Sequence, residues 1–87
     1  MAAIDTSSIK MNPNEVKAAL KYMYIAESGK TTQDLLNMVA MYEAKYERIT
    51  NILMAGVTPE SIALDAKNQR IKLQYFLIKK WLEGVRP

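Results

Sequence analysis

An all-α fold is predicted by three features of the sequence. Every glycine (Gly29, Gly56, Gly84) falls where a helix would end. Pro13 and Pro59 fall where a helix would begin. No run alternates apolar and polar residues as a half-buried strand does. These features predict three helices over about 13–28, 32–55 and 59–83. The second and third form a long antiparallel hairpin, and the first packs across it. Residues 1–11 are an extended N-terminal arm and residues 12–87 a single helical domain.

The first helix starts at Asn12-Pro13-Asn14-Glu15. Asn12 is the cap, Pro13 suits the first helical position and Glu15 favours the positive end of the helix. Val16, Ala19, Leu20, Met23 and Ala26 make one apolar face. Ala18, Tyr22, Tyr24 and Ile25 spread apolar surface around most of the rest, leaving mainly Lys17, Lys21 and Ser28 for water. A helix of that kind needs burial on several sides. In so short a chain the surplus points to self-association or a protein partner.

Thr31 or Thr32 caps the second helix, with Asp34 as the acidic member of a capping box. Leu35, Val39, Tyr42, Tyr46, Ile49 and Leu53 follow heptad spacing and predict a continuous seam. Met38, Met41 and Ile52 are expected to widen it. Thr58-Pro59-Glu60 opens the third helix. Its stretch DAKNQR, from Asp65 to Arg70, offers the core only Ala66, whereas Ile71, Leu73, Tyr75, Leu77, Ile78, Trp81 and Leu82 make its second half strongly apolar. Ile4, Ile9 and Met11 of the arm could dock, but a frayed terminus is the simpler expectation.

Composition limits the chemistry. The chain of 87 residues is 49% apolar and 24% charged, as in one small globular domain. It has no cysteine and no histidine, so disulfides, thiolate chemistry, histidine-based catalysis and Cys/His zinc sites are excluded within it. Glu43 and Glu47 lie one turn apart, but the Glu-x-x-His pair usual in helical di-metal sites is missing, and a solvated polar face is expected. The stretch ESGKTT (Glu27 to Thr32) ends like a phosphate-binding loop. The glycine such a loop needs five residues earlier is Tyr24, and a helix rather than a strand precedes it. Gly29 as a helix terminator and a threonine as the next cap account for the letters. No cofactor, metal, small-molecule substrate or catalytic residue is indicated, and the chain is expected not to be an enzyme.

The densest apolar cluster, Tyr75-Phe76-Leu77-Ile78, is four residues, against about 20 for a membrane span. The opening residues lack the pattern of a secretory signal. The expected location is cytoplasmic or within a macromolecular assembly.

Charge is uneven. Lys67 to Pro87 holds six basic residues and one acidic; the remainder holds six basic and eight acidic. In the third helix Lys72, Phe76, Lys79 and Glu83 share one face, with Lys80 beside them. Phe76, the chain's one phenylalanine, thus sits on the basic side rather than with the core set. It either packs beneath the first helix or the arm, with lysine stems around it, or stands as an aromatic anchor for a partner. The candidate partner-binding residues are Lys72, Phe76, Lys79, Lys80, Trp81, Tyr22 and Ile25. The expected function is a non-enzymatic protein–protein interaction or assembly module that self-associates. The alternative is a nucleic-acid-binding accessory protein using Arg70, Lys72, Phe76, Lys79 and Lys80. A membrane surface ranks below both, because the apolar face of the third helix is needed to cover the second.

Overall fold

A computed structural model of the protein describes residues 4–23, 29–56 and 58–87. It contains three helices, α1 (Pro13–Met23), α2 (Thr32–Met54) and α3 (Pro59–Leu82), and no strand among the described residues. α2 and α3 form the expected hairpin, and α1 rests on it against α3. The expected continuation of the first helix to residue 28, including Tyr24, Ile25 and Ala26, lies outside the described residues.

The helix starts follow from local chemistry. Asn12 Oδ1 accepts from the Glu15 amide at 2.9 Å, and Glu15 Oε1 accepts in return from the Asn12 amide at 3.4 Å. Thr31 Oγ1 accepts from the Asp34 amide at 3.1 Å while Asp34 Oδ2 accepts from the Thr31 amide at 3.0 Å. Both are reciprocal boxes that satisfy amides left free at a helix start. The start of α3 depends on Ser61, whose hydroxyl accepts from the Thr58 amide at 3.2 Å and donates to the Thr58 carbonyl at 2.6 Å. At the far end of α3, Gly84 takes φ +100°, which a side chain would resist. Its amide donates to the Trp81 carbonyl at 2.9 Å, and the Val85 amide donates to the Lys80 carbonyl at 3.0 Å. This pairing is a Schellman motif, and it turns Val85 back onto the helix it has just left.

The seam of α2 matches its spacing. Leu35, Val39 and Ile49 are buried, and Tyr42, Tyr46 and Leu53 are half-buried against the core. Met38 joins them, but Met41 and Ile52 remain exposed, so the seam is narrower than expected. Among the described residues α2 packs on α3 alone, and Met41 and Ile52 lie outside that contact. In α3, Ile71, Tyr75, Leu77 and Ile78 are all buried. Each large aliphatic side chain so enclosed contributes about 1.5–3 kcal/mol.

The middle of α3 departs from expectation. Ala66 is exposed, and the inward residue of that stretch is Asn68, with only 3% of its surface accessible. The hairpin axis turns Asn68 inward, in line with Ser61, Ile71 and Tyr75. Its Nδ2 donates to Thr50 Oγ1 on α2 at 3.1 Å, while its Oδ1 accepts from no described residue. An unpaired buried oxygen costs roughly 1–3 kcal/mol. Asn68→Leu, of similar size and without polar atoms, is therefore expected to stabilise the protein by about 1 kcal/mol, measured as a higher urea midpoint with unchanged slope. A midpoint that falls would show that the amide is fully satisfied.

Tyr42 carries a pH dependence. Its partly buried ring raises the hydroxyl pKa above the ordinary value, because desolvation disfavours the phenolate. For an acid whose folded pKa is raised, the stabilising contribution is complete below the unfolded pKa and is lost as pH climbs through the folded one. Stability should decline above about pH 10, and Tyr42→Phe should flatten that decline in alkaline thermal melts.

Candidate interaction surface

The basic face of α3 is not bare. The arm turns on itself at Asp5–Ser8: the Ser7 amide donates to Asp5 Oδ1 at 2.9 Å, and the Ile9 amide donates to the Thr6 carbonyl at 3.0 Å. Hydrogen bonding from Ser7 lowers the Asp5 carboxyl pKa from its ordinary value, and the Lys72 charge adds to the effect. The turn lets Ile4 enter the core, with 6% of its surface accessible, and brings Ile9 and Met11 back toward α3. Lys72 Nζ donates to Ser8 Oγ at 3.4 Å and ties the arm to the helix. The described part of the arm is thus docked rather than frayed.

Docking leaves a groove. A cavity of about 350 Å³ is lined by Ile9, Met11, Pro13, Val16, Phe76, Lys80 and Val85. A smaller one of about 110 Å³ is bounded by Thr6, Tyr75, Phe76, Lys79, Lys80 and Glu83. Phe76 and Lys80 belong to both. Each wall has a local origin: the arm turn supplies Ile9 and Met11, the start of α1 supplies Pro13 and Val16, and the Schellman motif supplies Val85.

Charge collects along one rim. Lys80 Nζ lies 5.3 Å from the centre of the Phe76 ring and 3.4 Å from Glu83 Oε2. Lys79 Nζ lies 5.8 Å from the centre of the Tyr75 ring. An ammonium near an aromatic face is held by the ring quadrupole, so both lysine stems lie along α3 instead of waving in solvent.

The candidate residues separate into groups. Phe76, Lys79 and Lys80 come together with the arm at the groove, and Lys72 fastens the arm beside it. Phe76 is half-buried, neither core nor free anchor. Trp81 is not part of the groove. The Arg86 guanidinium stacks 3.5 Å from its ring centre and donates to the Trp81 and Val85 carbonyls at 2.6 and 3.1 Å. Tyr22 is 82% exposed on α1, and Arg70 is exposed on α3. Ile25 lies outside the described residues. Sequence reasoning left out Thr6, Pro13, Val16 and Val85 as groove residues. The position of Val85 just after a helix-ending glycine was the signal available for one of them.

Among the described residues there is no group of three acidic, histidine or cysteine side chains that could hold a metal ion, and no helix is long and apolar enough to cross a membrane. The arrangement offers apolar walls and fixed cations, which are means of binding. No protein-family model matches the chain, and no curated protein or solved structure is significantly similar to it.

Since the arm is held chiefly by one buried side chain, Ile4→Ala should destabilise the protein by about 2 kcal/mol. It should also speed amide exchange at Ile9 and Lys10. Unchanged stability and exchange would mean that the arm does not dock in solution.

Proposed function

We propose that this protein is a non-enzymatic assembly module that binds other protein chains, copies of itself among them. The observation that carries this reading is the large apolar surface left outside a filled core. Tyr22, Met54 and Ile62 each expose more than 70% of their surface, and Leu36, Met41, Ile52 and Leu73 are exposed as well. Single exposed apolar residues are ordinary. Among the described residues seven large ones are exposed, spread over all three helices.

Nucleic-acid binding through Arg70, Lys72, Phe76, Lys79 and Lys80 has less support. Stacking on an unpaired base needs a free aromatic face, and Phe76 is half covered. Lys72 is engaged by Ser8 and Lys80 by Glu83.

Light scattering on the purified chain at near-physiological salt tests the proposal. A mass above that of one 9.9 kDa chain, rising with concentration, is expected. A sharp 9.9 kDa species up to the highest soluble concentration would remove the self-association part of the reading.

A further inference from the structure

Two features at opposite ends of the molecule are complementary. The hairpin tip carries Met54, with 80% of its surface exposed, Ile62, with 73% exposed, and Ile52. From Asn51 to Ala66 the sequence holds Glu60 and Asp65 and no lysine or arginine, so the tip is apolar and acidic. The groove between the arm, α1 and α3 has apolar walls and is open to solvent. Lys80 lines it, and at the adjoining smaller cavity Lys79 and Lys80 stand against Glu83, an excess of one cation. We infer that the hairpin tip of one copy docks in the arm–α3 groove of another, with Met54 entering the groove and Glu60 facing Lys79. The inference rests on the self-association reading and names its surface.

Shape, charge and reach all support a second copy as the occupant. Methionine is unbranched and flexible, suited to an irregular cavity, and a cavity of about 350 Å³ has room for its side chain. The carboxylate at the tip meets Lys79, whose stem is already held along Tyr75, which reduces the entropy lost on pairing. No molecule can fill its own groove. Phe76 and Lys80 lie 14 and 18 residues beyond Ile62 on the same helix, or about 21 and 27 Å at 1.5 Å per residue. The contact is therefore head-to-tail. Each copy offers one tip and one groove, and repetition gives an open chain or a ring.

Size limits the strength. The two shorter dimensions of the molecule are 26 and 20 Å. An end-on contact thus covers at most roughly 500 Å² per partner, or about 1,000 Å² in total, near the lower bound for a specific interface. The association is accordingly weak and concentration-dependent.

The test uses two variants of the full chain. Met54→Asp disables the tip and leaves the groove intact; Lys80→Glu disables the groove and leaves the tip intact. Both positions are at least partly exposed, and retained helical circular dichroism verifies the fold. Should Lys80→Glu unfold, Pro13→Asp replaces it, placing a carboxylate in the groove wall at a helix start that tolerates acid. By light scattering, each variant alone is expected to self-associate at least tenfold more weakly than the wild type. Their equimolar mixture should give a species of two chains and nothing larger, since one good tip and one good groove remain. Wild-type association that both variants retain would overturn the tip–groove contact and leave self-association standing. Two monomeric variants that fail to pair when mixed would also overturn it, by placing both residues in one symmetric patch. A wild type that stays monomeric throughout would remove both ideas together.

Discussion

Leu77 and Ile78 are neighbours in the chain, so their side chains leave α3 about 100° apart, yet neither has more than 1% of its surface accessible. Tyr75, buried as well, points in a third direction. A helix segment enclosed on so many sides needs more than one neighbour. α2 supplies one wall. α1 supplies another through Val16 and Leu20, and the arm closes a third side beside Phe76. The second half of α3 is thus the centre of the molecule. The arm, which would be disposable on a plain helical hairpin, becomes part of the fold.

The first half of α3 has a different environment. There α2 is its one described neighbour, and the seam between them carries the amide of Asn68 and the hydroxyls of Thr50 and Ser61 in addition to aliphatic packing. A polar side chain in a helical seam lowers stability but penalises shifted pairings, because any slip would leave the amide with no partner at all. Stability is therefore unequal along the hairpin: dense near the arm, spare near the tip. On either side of the turn Gly56 takes a positive φ and Ser61 caps α3, while Met54 and Ile62 face water.

The helix ends were legible because they are local. Asn12, Thr31 and the three glycines act within a few residues of themselves, and their spacing alone determines what they can bond. The α2 seam was legible for the same reason, since heptad spacing survives whatever partner arrives. Asn68 was not. Hydropathy assigned the inward place to Ala66, whereas the direction of the neighbouring helix, a tertiary quantity, turned the next-but-one residue inward. Of the candidate site, the pairing of Phe76 with Lys79 and Lys80 was legible as a helix face. Its cover was not, because the arm reaches that face from more than sixty positions away in sequence, as the Ser8–Lys72 hydrogen bond shows. Trp81 lies apart from that face through a purely local event, the stacking of Arg86 after the Gly84 turn.

The same arrangement links stability to the proposed interaction surface. Ile9 and Met11 wall the groove, and the arm that bears them is anchored by Ile4 and by Lys72. Loosening the arm would open the cavity and uncover Phe76 in one movement. The groove thus exists only in the fully folded chain, while the exposed residues of the tip sit on two helix ends with local caps. A surface of the first kind is made by tertiary packing, and one of the second kind by secondary structure and a turn. Two unlike surfaces on one small chain can meet reciprocally in a two-fold pair or repeat in one direction. If copies of this protein meet through them, each contact joins unlike surfaces, and the size of the assembly is then set by concentration and by whether the rotation between copies closes, at two copies or more.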